Sequence, residues 1–322
     1  MKNQTTVTEF ILLGLSSDPQ MQIFFFLLFL VIYLITLGGN IVIMVVIRAD
    51  SHLHTPMYFF LFHLSFVDIC YSSVTMPKML MKFLAEHKTI SVKGCIAQMF
   101  LFILSVGAEI FILSAMAYDR YAAICDPLHY VQTMSKGICV QLVCGAWTMG
   151  FFYALLNTVF TLKLYFCRPN QINHFSCELP PLLQLSCTDT LTNQVVLLTS
   201  AVVFGLSSFL LTLISYIHII STILRIRSAE GRHKAFSTCS SHLIVVGLLY
   251  VTGFLQYTKP NSVSSVVLDK MFSIQYSILT PMLNPIVCTL KNKEVKTALR
   301  NILGKFSFSN SFLSLSNKSL LT

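Results

Sequence analysis

The chain has 322 residues, 55% of them hydrophobic and only 11% charged, with a formal net charge of +9 and a pI near 9.0. A mean hydropathy of +0.72 is more apolar side chain than a water-soluble domain hides, which excludes a soluble globular protein and leaves a bilayer as the solvent. The positive balance suits anionic inner-leaflet lipid or a cytoplasmic partner, and no nucleic acid is needed to explain it.

The first residues, "MKNQTTVTEF", are polar and contain Asn3-Gln4-Thr5, a glycosylation acceptor with a use only on an outside tail. No cleavable signal peptide is visible, and the first apolar run, long enough to span, acts as its own signal. A spanning helix needs about 20 mostly apolar residues. Seven stretches qualify, near 23–47, 57–81, 96–124, 138–162, 194–224, 236–258 and 267–290. Backbone facing lipid must bond within its own segment, so the expected fold is an all-α membrane protein, a seven-transmembrane helix bundle. Residues 1–22 are then an extracellular tail, 23–290 the bundle and 291–322 a cytoplasmic tail. Arg225, Arg227, Arg232 and Lys234 in the fifth connection, with Lys291, Lys293, Lys296 and Arg300 after the last span, mark the cytoplasmic side. Lys82, Lys88 and Lys93 face outward against that bias.

Only the outer side is oxidising. Cys95 opens the third span, and Cys167, Cys177 and Cys187 punctuate the loop before the fifth, a set with three pairings open to it. A zinc site there lacks the close spacing and further ligands it needs. Cys70, Cys125 and Cys144 read as small inert hydrophobes. Polar residues inside the spans are functional candidates by default: Asn40, Asp68, Glu109 and Asn284. Asp68 and Glu109 either chelate a small hard cation, or one stays protonated and bonds the other. Asp119 and Arg120 close the third apolar run as nearest partners of each other. Pro281 and Pro285 remove backbone bonds and predict a kink in the last span. After it, "KNKEVKTALRNIL" predicts a short amphipathic helix on the inner membrane face, with Val295, Leu299, Ile302 and Leu303 on one side.

Five segments, "LHTPMYFFLFHLSFVDIC" (53–70), "MAYDRYAAICDPLHY" (116–130), "SYIHI" (215–219), "KAFSTCSSHLIVV" (234–246) and "PMLNPIVCTLKNKEV" (281–295), resemble, in order and spacing, the rhodopsin-like G-protein-coupled receptors. The likeness is specifically to the tetrapod-type olfactory receptors and covers about residues 8–304. It implies that Asp119-Arg120-Tyr121 holds a resting state by local pairing and frees the arginine toward a G protein on activation. It implies disulfides Cys95–Cys177 and Cys167–Cys187, a sodium site at Asp68 and Glu109, and a relay through Tyr216, Asn284 and Pro285. One departure is Cys288, where the family carries a tyrosine. A thiol is short and a weak donor, so the relay is expected to lose a contact there.

By position the resemblance also implies an odorant pocket lined by Phe102, Ile103, Val106, Gly107, Ser200, Phe204, Tyr250, Gly253, Phe254 and Tyr257. Such a lining suits a small, weakly polar, volatile molecule; with no acid in it, an amine held by a salt bridge is disfavoured. The expected function is a plasma-membrane odorant receptor, not an enzyme, that activates a stimulatory olfactory G protein and raises cyclic AMP. It requires no cofactor beyond a sodium ion at most. Two alternatives remain at this stage. One is a receptor-like chain with signalling impaired at Cys288; the other is an ion-coupled transporter using Asp68 and Glu109, against which stands the lack of an internal repeat.

Overall fold

The computed structural model describes residues 7–16, 18–84, 89–167, 169–258, 265–291 and 294–301. Its helices are α1 (Pro19–Ala49), α2 (Pro56–Leu84), α3 (Val92–Cys125), the short α4 (Tyr130–Thr133), α5 (Lys136–Thr161), α6 (Leu179–Leu183), α7 (Leu191–Ser200), α8 (Ser207–Arg225), α9 (Ala229–Thr258), α10 (Ser265–Ile274) and α11 (Thr280–Lys291). A last helix, α12, covers 294–301. A π-helical turn, Ala201–Leu206, joins α7 to α8, and another, Gln275–Leu279, joins α10 to α11. Five helical spans (α1, α2, α3, α5 and Leu191–Arg225) are long and apolar enough to cross a membrane, and α9 makes a sixth if its bent halves form one span. The expected seventh stretch, 267–290, is helical but divided between α10, the π turn and α11. The chain is an all-α membrane protein.

Burial follows the inverted logic of a bilayer. On α1, Ile23, Phe24, Leu27, Val31 and Leu34 are exposed, while Thr36 and Asn40 are buried beside Ile43 and Ile47. Large apolar residues face outward because lipid accepts them, and the polar ones turn inward because lipid offers no partner. Side-chain caps start the helices: Asp18 accepts from the Gln20 amide at 3.0 Å with Pro19 behind it, and Ser91 from the Gly94 amide at 3.1 Å.

Close approach depends on two glycines. A Cβ on Gly107 of α3 would stand 2.6 Å from the Gly150 Cα of α5, so the backbones meet where no side chain fits. A Cβ on Gly39 would stand 3.1 Å from the Pro285 ring, which lets α1 lie against α11. The neighbouring Asn40 then completes the chemistry. Pro285 has no N–H, so the Pro281 carbonyl lacks its helical donor, and the Asn40 amide supplies one at 3.1 Å. The backbone bond that Pro285 removes from α11 is thus replaced by a side chain from α1.

One end of the bundle carries a small sheet in the order β2–β1–β3. In it β1 (Glu9–Leu12) pairs antiparallel with β2 (Thr89–Ser91) and parallel with β3 (Gln171–Ile172). Two disulfides fix the loop around it, Cys95 to Cys177 with Cα atoms 5.3 Å apart and Cys167 to Cys187 at 5.8 Å. Phe10 and Leu12 are fully buried against α3 and this loop.

At the other end the apolar face of α12 packs into the bundle itself. Val295 and Ala298 are buried in the core cluster, Leu299 packs against it, and the Tyr58 hydroxyl donates to Glu294 at 2.6 Å. The expected face Val295–Leu299–Ile302–Leu303 changes accordingly. Ala298 belongs to it, and Ile302 and Leu303 lie outside the described residues, as do Asn3, Lys88 and Lys293.

Gly107→Ala should lower the thermal midpoint of the purified protein, with a destabilisation of about 1–3 kcal/mol, because α3 and α5 must separate to admit the methyl. Gly145→Ala, whose methyl meets nothing within 4 Å, should leave the midpoint unchanged or higher. Equal midpoints for the two variants would refute the contact.

Candidate functional site

The charged pair that ends α3 is the natural start. Arg120 Nε lies 3.7 Å from Asp119 Oδ2, and Asp119 is 1% exposed. The other Asp119 oxygen accepts from the Tyr130 hydroxyl at 2.8 Å, so the short α4 is pinned beneath α3. Burial first, and the Asp119 charge second, push the Tyr130 phenol above its ordinary value, which keeps it a donor. Arg120 Nε also points at Met57 Sδ, 3.3 Å away, at the start of α2. A thioether is a weak acceptor, so that contact positions the guanidinium without holding it strongly. Tyr121 stacks on Tyr118 with ring centroids 6.0 Å apart and lies 5.7 Å from the His218 ring.

About two turns deeper, a histidine not singled out in the sequence joins three helices. His242 of α9 has Nε2 3.0 Å from the Leu113 carbonyl of α3 and Nδ1 2.6 Å from the Tyr216 hydroxyl of α8. A carbonyl only accepts, so Nε2 carries the proton, and Nδ1 accepts from the tyrosine. His242 is 4% exposed and Tyr216 5%. Tyr216, expected in the relay toward Cys288, is thus bonded to His242 instead. The Cys288 and Tyr257 side chains lie outside what the structure describes.

Midway through the bundle, the Asn284 amide nitrogen donates to both Asp68 oxygens, at 3.0 and 2.9 Å. Asn284 also faces Glu109, and the two carboxylates interact electrostatically. All three residues are at most 2% exposed. Glu109 Oε1 and Asn284 Oδ1 have no hydrogen-bond partner among the described residues. Hard oxygen donors with unsatisfied capacity are what a small hard cation takes, so the set fits a sodium ion. Among the described residues no group of three or more His, Cys, Asp or Glu side chains gathers to hold a metal.

The expected pocket residues divide. Phe102 packs between Tyr71 and Tyr276, with ring centroids at 5.2 and 5.8 Å, and Ile103 is 8% exposed beside them. Val106 is half-buried. Phe204 sits in the π turn against Tyr153 at 5.2 Å and Phe111 at 6.4 Å. The Tyr250 hydroxyl donates to Ser208 at 3.0 Å, and Gly253 has open space where a Cβ would be. Three assignments change. Gly107 turns to Gly150 of α5 and belongs to the helix contact. Ser200 turns the same way, accepting from Asn157 at 3.2 Å. Phe254, 68% exposed, shares the outward face of α9 with Val251, 59% exposed. Position along a helix was transferable from the resemblance; the direction in which each side chain points was not.

Above Phe102 the loop closes the bundle with a polar cluster. Glu178, 5% exposed, accepts from Ser176 at 3.0 Å, from Ser273 at 3.0 Å and from the Tyr276 hydroxyl. His174 Nε2 is 3.1 Å from the Ser273 hydroxyl. Gln98 of α3 accepts from the Cys177 amide at 3.1 Å and donates to the Val74 carbonyl of α2 at 2.9 Å. Glu178 and His174 lie in a loop, so hydropathy gave no reason to single them out. Their signal was adjacency to Cys177.

The family model described as "Olfactory receptor" matches residues 29–305. The chain is 53% identical over 294 residues to human olfactory receptor 8S1, covering 91% of this chain and 81% of that one. It is 51% identical to human olfactory receptor 5G3 (95% and 98% covered) and 52% identical to mouse olfactory receptor 5M5 (94% and 97%). An arginine–aspartate pair near the end of the third long helix, a polar core and a disulfide-tied loop are all consistent with that match, and the chain belongs to the olfactory receptor family, whose members are receptors and not enzymes.

Proposed function

We propose that this receptor has seven spans, sits in the plasma membrane with its N-terminus outside, and answers a small volatile odorant by activating a stimulatory olfactory G protein that raises cyclic AMP. The orientation is supported by the disulfides and sheet at one end of the bundle, and by Arg225, Arg227, Lys296 and Arg300 at the other. An odorant held among Phe102, Ile103, Val106, Phe204, Tyr250 and Gly253 would be bound by apolar area and at most a few hydrogen bonds.

The observation that carries the reading is Arg120. Its ion pair with Asp119 sits at the cytoplasmic end of α3, next to the three-helix bridge through Tyr216 and His242. The bridge joins α3 to α8 and α9 by hydrogen bonds that their separation would break, while the ion pair lies within α3 and is tied to α2 through Met57 and to α4 through Tyr130. Ligand binding between α3, α8 and α9 shifts that two-state balance by its differential affinity for the separated form. Arg120 then meets the G protein, and membrane lipid surrounds the rest. A sodium ion on Asp68 and Glu109 would supply charge balance between two buried carboxylates and favour the resting arrangement.

Arg120→Ala should leave surface expression largely intact and reduce odorant-evoked cyclic AMP to baseline, read in a reporter line screened against a broad panel of volatiles. Signalling preserved in this variant would remove Arg120 from coupling. For the cation, raising sodium at fixed ionic strength should lower basal cyclic AMP in the parent and leave Glu109→Gln unchanged. A parallel response in both would exclude the carboxylates as its site.

A further inference from the structure

Outside the odorant-facing interior, the membrane-facing wall between α3 and α5 holds a groove of about 440 Å³. It lies between the Gly107–Gly150 contact and the disulfide end of the bundle, so the touching backbones close it below. Lys93, Ala97 and Leu101 recur every four residues on one face of α3, a run of about 12 Å at the helical rise. Ile96 and Phe100 of α3, Thr158 of α5 and Leu162 just after it complete the lining. Lys93, Ala97, Leu101 and Leu162 are all exposed, so the groove opens to lipid and not to the bundle interior.

The lining is apolar except at two points. Lys93, in the first turn of α3, forms no hydrogen bond or ion pair among the described residues, and the Thr158 hydroxyl has no hydrogen-bond partner among them. One cation at the water boundary above a dry slot asks for an occupant with one anionic head and one apolar tail. The volume falls within the range of about 300–1,000 Å³ usual for small-ligand sites, and the run of about 12 Å along α3 is the length of one medium acyl chain.

We propose that this groove is a membrane-accessible binding site for a medium-chain fatty acid, its carboxylate on Lys93 and its tail along Ala97 and Leu101 toward Gly107. The site is separate from the odorant interior, because α3 itself stands between them, and its occupancy needs no signalling. The inference therefore stands or falls independently of the coupling described above.

The test uses the purified full-length receptor in nanodiscs of phosphatidylcholine, labelled with a diazirine analogue of decanoic acid and mapped by mass spectrometry. Cross-links should fall within 93–101 and 158–162. Excess decanoate should suppress them, whereas decanol or phosphatidylglycerol at the same mole fraction should not. Lys93→Gln should weaken the competition by decanoate about tenfold, the order of one lost charge-assisted contact, and Ala97→Phe, which fills the slot, should abolish the labelling. The competition on the parent protein keeps the test decisive even if either variant misfolds. Cross-links scattered over the whole membrane-facing surface, competition by decanol equal to that by decanoate, or undiminished labelling of a folded Ala97→Phe protein would each overturn the proposal.

Discussion

Hydrocarbon supplies no hydrogen-bond partner, and the rest of this structure follows from that constraint. A polar group turned into the bundle costs several kcal/mol unless another part of the chain matches it. The matches are long-range. Asn284 reaches Asp68 across 216 residues, Asn40 reaches the carbonyl freed by Pro285 across 241 residues, and His242 reaches the Leu113 carbonyl across 129. Each joins helices that sequence separates widely, so the polar core specifies which helices are neighbours, while apolar packing alone would permit many arrangements.

The same constraint makes the polar bonds discrete. A polar bond inside a bilayer is directional and has few alternatives, so an arrangement of such bonds is either made or replaced by another complete set. α3 lies at the centre, with Glu109 midway and facing Asp68 of α2, the Leu113 carbonyl one turn on and Asp119–Arg120 near the end. A ligand that alters the packing of α3 against α8 and α9 therefore acts on bonds that also determine where the cytoplasmic ends stand. The lid over the other end is built differently. Disulfides, a three-stranded sheet and the buried Glu178 cluster hold it by several independent ties.

Much of this was legible in the sequence, and the boundary is physical. Apolar run length located the helices because bilayer thickness fixes the length a span needs. The cost of burial singled out Asp68, Glu109, Asn40 and Asn284. The partners of those residues were not legible, since they depend on how each helix is rotated, and period 3.6 leaves rotation undetermined where a helix is apolar all round. Gly107, Ser200 and Phe254 were misassigned to the pocket for that reason. His242 was visible only as a letter inside "KAFSTCSSHLIVV", and Tyr130 as the end of "MAYDRYAAICDPLHY". The stretch 267–290 was legible as apolar but not as two helices joined by a π turn, because the extra residue of such a turn has no periodic signature.

The central claim is that the bridge from Tyr216 through His242 to the Leu113 carbonyl holds the cytoplasmic ends of α8 and α9 against α3 in the resting receptor. It is tested most directly by electron–electron resonance distances between spin labels on non-natural amino acids at Gln132 and Glu230, in the parent and in His242→Phe, without ligand. The account predicts one short-distance population in the parent and a second, longer one in the variant, which has lost both hydrogen bonds of the bridge. Identical distance distributions in the two proteins would contradict it.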